Sequence, residues 1–131
     1  AGTLSGNPVA TACGLATLKI IQRPGFYENL GQRTQTLMNG LVDTAKGCGV
    51  ELCADSLGGM FGFFFANELP QNYGAVMAKG SERFNRFFHA MLDRGVYLAP
   101  AMYEAGFVSA AHTDDDSART LDAAKQAFGE L

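Results

Sequence analysis

The sequence predicts an α+β fold, in which a small sheet of three or four strands carries its helices on one face. Three observations support this prediction. Two helical patterns come first, the apolar period then changes to that of strands near residue 50, and a strongly amphipathic helix follows near residue 81. The 131 residues are enough for one domain with a core of its own.

The first helix is predicted to cover residues 8–22. Asn7 is a strong N-cap residue, and Pro8 stands where a missing N–H costs nothing. Arg23 precedes Pro24, and a residue before proline disfavours the α conformation, so the helix ends there.

A second, longer helix is predicted over residues 26–46, where Gly47 and Gly49 supply the stop. Its apolar residues recur at helical spacing and indicate a side that faces the core. They are Phe26, Leu30, Leu37, Met38, Leu41, Val42 and Ala45.

Two strands are predicted next, at residues 50–54 and 60–66, with a turn or bulge at residues 57–59. The second strand is an almost uninterrupted apolar run that includes Phe63. Such a run favours a strand covered on both faces, or one covered by a neighbouring domain. A surface loop is predicted after it, at residues 67–73.

The clearest amphipathic helix is predicted over residues 81–94, and Gly95 ends it. Its apolar stripe consists of Phe84, Phe87, Phe88, Met91 and Leu92. An aromatic stripe at this spacing is typical of a hydrophobic core, so we assign it to packing.

The last part of the chain is predicted as two short strands, residues 96–99 and 107–111, linked by the loop 100–106. Thr113 then caps a final helix with aspartates at positions 114–116, where carboxylates suit the helix dipole. Asp116 can complete a capping box. The acidic run is thereby explained without a metal ion, and no metal site is expected.

Charge and cysteine content limit the functional classes. The net charge of −3 and the scattered Lys and Arg residues offer no basic surface for nucleic acid. The sequence contains neither a signal peptide nor a long apolar run, so we expect a soluble cytoplasmic protein without membrane contact. Cys13, Cys48 and Cys53 are odd in number and lack zinc-site spacing, so we expect reduced thiols.

The loop of residues 2–7 is the first candidate site. Gly2, Thr3, Ser5 and Gly6 are small, so another group could approach the backbone closely. Free N–H groups, hydroxyls and the following helix N-terminus would favour an anion, of which a phosphate is the obvious example. An ordinary loop before a helix has the same composition, and the residues alone leave both interpretations open.

Two stretches together carry a family resemblance. GTLSGNP at residues 2–8 and EAGFVSAAHT at residues 104–113, with GGMFGFFF and RFFHAMLDRGVYLAP between them, resemble the C-terminal part of the glutamate-1-semialdehyde 2,1-aminomutase family. These enzymes belong to the class III pyridoxal-phosphate aminotransferases, which have fold type I. The resemblance implies that residues 1–24 end the large cofactor-binding domain and that residues 25–131 form the small C-terminal domain.

The resemblance also implies a cofactor site divided between two subunits. Gly2 and Thr3 would bind the phosphate of pyridoxal 5'-phosphate held by the other subunit of a homodimer, Thr3 through its hydroxyl and its backbone N–H. The lysine that holds the cofactor lies upstream of the GT motif in this family, and the four lysines of this chain, Lys19, Lys46, Lys79 and Lys125, suit solvated positions. No catalytic residue is therefore expected here, and the chain alone is expected to be inactive.

Glu104 is the second candidate site residue. A carboxylate in an apolar, small-residue loop is costly to bury without a partner, but composition alone favours an exposed and solvated side chain. The resemblance implies that Glu104 faces the substrate entrance, where it could orient an amine or pair with an arginine from another part of the enzyme. His112 is assigned a structural hydrogen bond, because no nucleophile accompanies it in the sequence.

Two classes of function remain open from the sequence. The first is the C-terminal part of an aminomutase that converts glutamate-1-semialdehyde to 5-aminolevulinate, a tetrapyrrole precursor. An ω-aminotransferase is its nearest rival, but such relatives often carry a late arginine, and residues 95–113 contain no Arg or Lys. The second class is a non-enzymatic α+β interaction module. A lysine-bearing sequence upstream would favour the first class.

Overall fold

A computed structural model describes residues 2–131 and confirms the predicted α+β class. The described residues form five helices and three strands. In chain order they are α1 (Pro8–Ile21), α2 (Phe26–Gly47), β1 (Cys53–Leu57), β2 (Met60–Phe64), α3 (Tyr73–Met77), α4 (Glu82–Asp93), β3 (Gly106–Phe107) and α5 (Asp114–Phe128). None of these helices has the length and apolar character needed to cross a membrane.

The strands form an antiparallel sheet in the order β1-β2-β3. β1 and β2 are a hairpin, and the turn between them uses Gly58 at a φ of 57°, which a side chain would strain. The sequence predicts the first strand at residues 50–54, which is three residues too early. Val50 and Leu52 are apolar because they pack against the core after α2 ends, before the strand pairing begins.

The far edge of the sheet is shorter than predicted. β3 pairs with β2 over two residues only, whereas the sequence predicts a strand at residues 107–111. The N–H of Val108 still reaches the carbonyl of Gly59 at 2.8 Å, and the backbone then turns towards α5. The strand predicted at residues 96–99 is wrong: this segment has no strand pairing, and its apolar side chains pack against the core instead.

The stripe on α4 lies at the centre of the core, as predicted. Phe87 is fully buried, stacks on Phe128 of α5 with ring centroids 4.7 Å apart, and meets the rings of Phe63 and Phe65 edge-on. Phe84, Phe88 and Met91 are buried beside it. Leu92, which was predicted on the same stripe, is 42% exposed because it lies one helical step, about 100°, from its buried neighbour.

The helices α2, α4 and α5 cover one face of the sheet. Ser56 of β1 and Phe63 of β2 point to that face, where Phe63 meets α4 and the Ser56 hydroxyl donates to Gln35 of α2 at 3.1 Å. The opposite face lies open in the described chain, with Leu57 78% and Met60 40% exposed. This chain therefore covers the apolar strand on one face and not on both.

α2 follows the prediction in extent but not in every buried residue. Met38, Leu41 and Ala45 are buried as expected. Thr34 is buried as well, because its hydroxyl donates to the carbonyl of Leu30 at 2.8 Å and so loses no hydrogen bond on leaving water. Apolar periodicity cannot identify a buried residue of this kind.

The short helix α3 is not among the predicted elements, and only its first residue lies in the loop predicted at residues 67–73. The Asn72 side chain accepts a hydrogen bond from the N–H of Ala75 at 3.0 Å and caps one helical turn. A helix of five residues is little more than one turn long, so its apolar residues cannot show a helical period in the sequence. The helix carries Tyr73 against Tyr103, with ring centroids 6.5 Å apart, so it supports the loop after residue 100.

α1 lies apart from this core. It matches its predicted extent to within one residue, yet none of its residues is buried. Leu15, Leu18 and Ile20 are 53%, 50% and 45% exposed, and α2 is the main element that α1 contacts. An apolar helix of this kind is ready to pack against further protein.

Candidate functional site

The loop that precedes α1 is compact. The N–H of Ser5 donates to the carbonyl of Gly2 at 3.0 Å, and the N–H of Asn7 donates to the carbonyl of Leu4 at 3.1 Å. Gly6 lies inside the second of these turns with a φ of 80°, a conformation that glycine adopts without strain. The small residues of the sequence motif therefore build two consecutive tight turns.

Asn7 caps α1 as predicted, and in doing so it uses the N–H groups of the helix end. Its side-chain oxygen accepts from Val9 at 2.9 Å and from Ala10 at 3.3 Å, while its carbonyl accepts from Thr11 at 2.9 Å. Pro8 has no N–H to offer. The helix end therefore keeps its dipole but has no spare donor for an anion, contrary to the expectation from sequence.

Donors do remain in the loop itself. Thr3 is exposed, and neither its hydroxyl nor its N–H makes a hydrogen bond within residues 2–131. Gly2 is exposed as well, and an added Cβ would meet only Ser5 Oγ, at 3.7 Å. Packing within this chain thus does not require glycine at position 2, but a ligand that approaches the backbone would.

Glu104 projects from a turn beside the sheet. Its N–H donates to the carbonyl of Ala101 at 3.1 Å, and Met102 within the turn is 7% exposed and anchors it in the core. The Glu104 side chain is exposed and forms no ion pair in the described chain. The structure therefore places this carboxylate on the surface, held by a well-anchored backbone.

Two cavities of about 290 and 300 Å³ meet at this turn. Both are lined by Phe61, Gly62, Met102, Glu104 and Ala105. Glu104 is the charged residue that lines the first, and Asp55 joins it in the second. A carboxylate set in a largely apolar concavity is suited to a ligand that carries a positive charge beside a short carbon chain.

His112 has a structural role, as predicted. Its Nδ1 atom accepts a hydrogen bond from the N–H of Ser109 at 2.9 Å, and its carbonyl accepts one from Arg33. Arg33 also pairs with Asp114 at 3.4 Å and so ties α2 to the start of α5. These contacts fix the connection from β3 to α5.

The acidic run after Thr113 forms the predicted capping box. The Asp116 N–H donates to the Thr113 hydroxyl at 3.1 Å, and the Asp116 carboxylate accepts from the N–H and the hydroxyl of Thr113, each at 2.7 Å. These hydrogen bonds hold the pKa of Asp116 below its ordinary value. Across residues 2–131, no three His, Cys, Asp or Glu side chains cluster in a way that could hold a metal ion.

The nucleophilic side chains lie elsewhere. All four lysines are exposed, and none lines either cavity beside Glu104. Burial raises the pKa of the Cys53 thiol, so this group is less reactive than an ordinary cysteine. Within residues 2–131, neither a lysine nor a cysteine lines the Glu104 cavities.

The two predicted site regions are separate in this chain. No residue of α1 or of its preceding loop lines the cavities at Glu104. Sequence reasoning also missed Phe61, which lines both cavities, and Asp55, which lines the second. No sequence signal identifies them, because their place at the cavities depends on how β2 pairs with its neighbours.

No protein-family model matches the chain, but curated proteins do. The chain is 66% identical over 128 residues to the glutamate-1-semialdehyde 2,1-aminomutase of Polaromonas naphthalenivorans (strain CJ2), which covers 98% of this chain. It is 60% identical over all 131 residues to the protein of the same name from Acidovorax sp. (strain JS42). The chain spans about 30% of the length of these relatives, in their C-terminal part.

Solved structures share the fold. An ω-transaminase from Sphaerobacter thermophilus superposes with a TM-score of 0.79 at 23% identity, over 98% of this chain and 29% of that one. The FumI protein of Sphingopyxis sp. MTA144, described in its PLP internal aldimine form, superposes with a TM-score of 0.68 at 31% identity, over 88% of this chain and 25% of that one. The fold is therefore that of a C-terminal region of transaminases.

Proposed function

We propose that this chain, homologous over its whole length to the C-terminal part of glutamate-1-semialdehyde 2,1-aminomutases, belongs to an enzyme that converts glutamate-1-semialdehyde to 5-aminolevulinate in tetrapyrrole biosynthesis. The observation that carries the proposal is an identity of 60–66% to proteins of that name over at least 98% of the chain. The transaminase structures reach 23% and 31%, so an ω-aminotransferase is the weaker candidate. A non-enzymatic module is not favoured.

The cofactor of the parent enzyme would be pyridoxal phosphate. Its phosphate suits the loop of residues 2–7, where Thr3 keeps a hydroxyl and an N–H available and Gly2 leaves the backbone open. When bound, the cofactor supplies the electron sink for moving the amino group. The role of this chain would be to bind the phosphate. Because the phosphate is the most highly charged group of the cofactor, holding it also orients the cofactor.

We assign residues 1–24 to the large domain and residues 25–131 to the small C-terminal domain. The exposure of Leu15, Leu18 and Ile20 supports this division, because α1 buries none of its own residues in this chain. The cofactor lysine would belong to the upstream sequence, since all four lysines here are exposed and lie away from the Glu104 cavities.

We assign Glu104 to the substrate. The substrate of such an enzyme carries an amino group on a five-carbon skeleton, and a carboxylate in an apolar concavity can hold the ammonium form by a charge-assisted hydrogen bond. The cavities beside Glu104, of about 290 and 300 Å³, are large enough for the end of such a molecule. Glu104 would then orient the substrate.

The enzyme is proposed to be a cytoplasmic homodimer in which the loop of residues 2–7 reaches the cofactor of the other subunit. This arrangement is consistent with the separation of Thr3 from the Glu104 cavities within one chain. No nucleic acid or membrane partner is proposed, because the net charge is −3 and no basic cluster is present in the sequence.

A mixed dimer of the full-length enzyme tests the phosphate assignment. Thr3→Ala removes one donor to a charged phosphate, which is worth roughly 1.5 to 3 kcal/mol, or about ten- to a hundredfold in cofactor affinity. In a dimer with Thr3→Ala on one subunit and a cofactor-lysine knockout on the other, a loop acting across the interface leaves one site complete. That site should retain cofactor with near-normal affinity, measured by equilibrium dialysis.

The controls separate the alternatives. Thr36→Ala, on an exposed position of α2, should leave cofactor affinity unchanged in either arrangement. If the mixed dimer holds cofactor as weakly as the Thr3→Ala homodimer, the loop acts within its own subunit and the assignment across the interface is wrong. If Thr3→Ala does not weaken cofactor retention at all, Thr3 is only loop structure.

A further inference from the structure

A ring and a glycine meet closely at the base of the Glu104 loop. In the pairing of β2 with β3, Phe61 lies directly opposite Gly106. A Cβ atom placed on Gly106 would lie 2.2 Å from Phe61 Cζ, 2.5 Å from Cε2 and 2.7 Å from Cε1. These distances are far below van der Waals contact, so the far edge of the ring occupies the space that any side chain at position 106 would need.

The Phe61 ring lies between the hydrophobic core and the cavities at Glu104. It is half-buried, packs against the hydrophobic core, and lines both cavities at Glu104. Leu98, Phe84 and Tyr97 line the first cavity with it. The core side of the ring is packed, so a conflict at Gly106 would be relieved by movement of the ring into the cavities or of the two-residue strand β3, and either movement changes the surroundings of Glu104.

Glu104 is held between two anchors, of which Gly106 is one. The other is the turn that the hydrogen bond from the Glu104 N–H to the Ala101 carbonyl closes, and Met102 of this turn is buried in the core. Glu104 and Gly106 are two positions apart in the chain, a reach of at most about 7 Å. A shift of β3 would therefore displace the Glu104 carboxylate.

We propose that Phe61 is a positioning residue, whose contact with the bare Cα of Gly106 sets where Glu104 stands in the cavity. The inference rests on the proposed function, in which Glu104 orients the substrate amine. Phe61 does not act on the reaction itself. It fixes the register and the approach of the short strand from which the Glu104 loop departs.

The first test uses the full-length enzyme loaded with pyridoxal phosphate. Gly106→Ala should lower kcat/KM about ten- to a hundredfold, because a displacement near 1 Å at an orienting group costs this much. Adding Phe61→Leu should restore most of that loss, since leucine lacks the three ring atoms that conflict with an added Cβ. The change should appear in kcat/KM while the cofactor absorbance and its affinity stay the same.

A matched glycine variant provides the control. Gly47 ends α2, and an added Cβ there would meet no atom within 4 Å. Gly47→Ala should therefore leave kcat/KM unchanged. If Gly106→Ala changes kcat/KM less than twofold, or if Phe61→Leu fails to restore it while both variants stay folded and loaded, the positioning role is overturned.

The second test asks whether the effect passes through Glu104. Glu104→Gln alone should lower kcat/KM, and Gly106→Ala added to it should then lower kcat/KM less than twofold further. If the two losses multiply, Gly106 and Phe61 act on general packing and the inference fails, while the role of Glu104 stands. If Glu104→Gln alone has no effect, the proposed role of Glu104 fails, and there is nothing for Phe61 to position.

Discussion

Replacing Phe87 with alanine tests the core of the small domain. This ring is fully buried against Phe128 at 4.7 Å between centroids and against Phe63 and Phe65 at 5.8 and 5.6 Å. Phe→Ala in such a site costs about 3 to 5 kcal/mol through lost burial and the cavity left behind. Aromatic pairs add about 0.5 to 1.5 kcal/mol each beyond area, so the upper end of the range is expected.

Urea unfolding of this chain, followed by circular dichroism, measures the loss. With a slope near 1.5 kcal/mol/M, the midpoint should fall by about 2 to 3 M at unchanged slope. Leu92→Ala on the same helix is the matched control, and should cost about 1 kcal/mol because its side chain is 42% exposed. A shift below about 0.5 M for Phe87→Ala, or one no larger than that of Leu92→Ala, would refute the packing argument.

Two further predictions concern the capping box and the isolated chain. Thr113→Ala should cost about 1 kcal/mol at pH 7. In the folded chain, the hydrogen bonds lower the pKa of Asp116 below its ordinary value of 3.8. They therefore stabilise the folded chain above pH 3.8, and this stabilisation is lost as the pH falls through the lower pKa of the folded state. The cost of Thr113→Ala should therefore shrink at pH 2, and an equal cost at both pH values in urea titrations would contradict this. The isolated 131-residue chain should release pyridoxal phosphate on dialysis and turn over no substrate, since we assign the cofactor lysine to the upstream sequence. A borohydride-fixed adduct on any lysine of this chain, found by mass spectrometry, would contradict this prediction.

The elements that the sequence predicts correctly are those whose signals are local. The α4 stripe follows from helical spacing, and the caps at Asn7 and Thr113 follow from residue type and from the chain entering a helix. Each of these features depends on neighbours within four residues.

The errors lie where distant partners decide the structure. β1 begins at Cys53 because its pairing partner ends at Phe64, and neither fact is visible in the apolar pattern of residues 50–54. Residues 96–99 are apolar for packing and have no strand beside them, so their composition suggests a strand that does not form. Strand pairing depends on two segments, so the sequence of one segment does not show where its pairing begins and ends.

The candidate site was predicted in its residues but not in its surroundings. Gly2, Thr3 and Glu104 were identified through a family resemblance, and their functional roles stay predictions. The cavity shared with Asp55 and Phe61 depends on how the loop after residue 100 folds over the sheet edge. That arrangement follows from the β2–β3 pairing, which the sequence pattern does not specify.

The exposed apolar surface of α1 also determines how the chain behaves in solution. Leu15, Leu18 and Ile20 present hydrocarbon to water, and copies of a chain with such a surface attract one another as their concentration rises. Reversible clustering of folded chains would raise the apparent unfolding midpoint in concentrated samples and lower it in dilute ones. Variants of this chain must therefore be compared at a single low protein concentration, where light scattering confirms monodispersity.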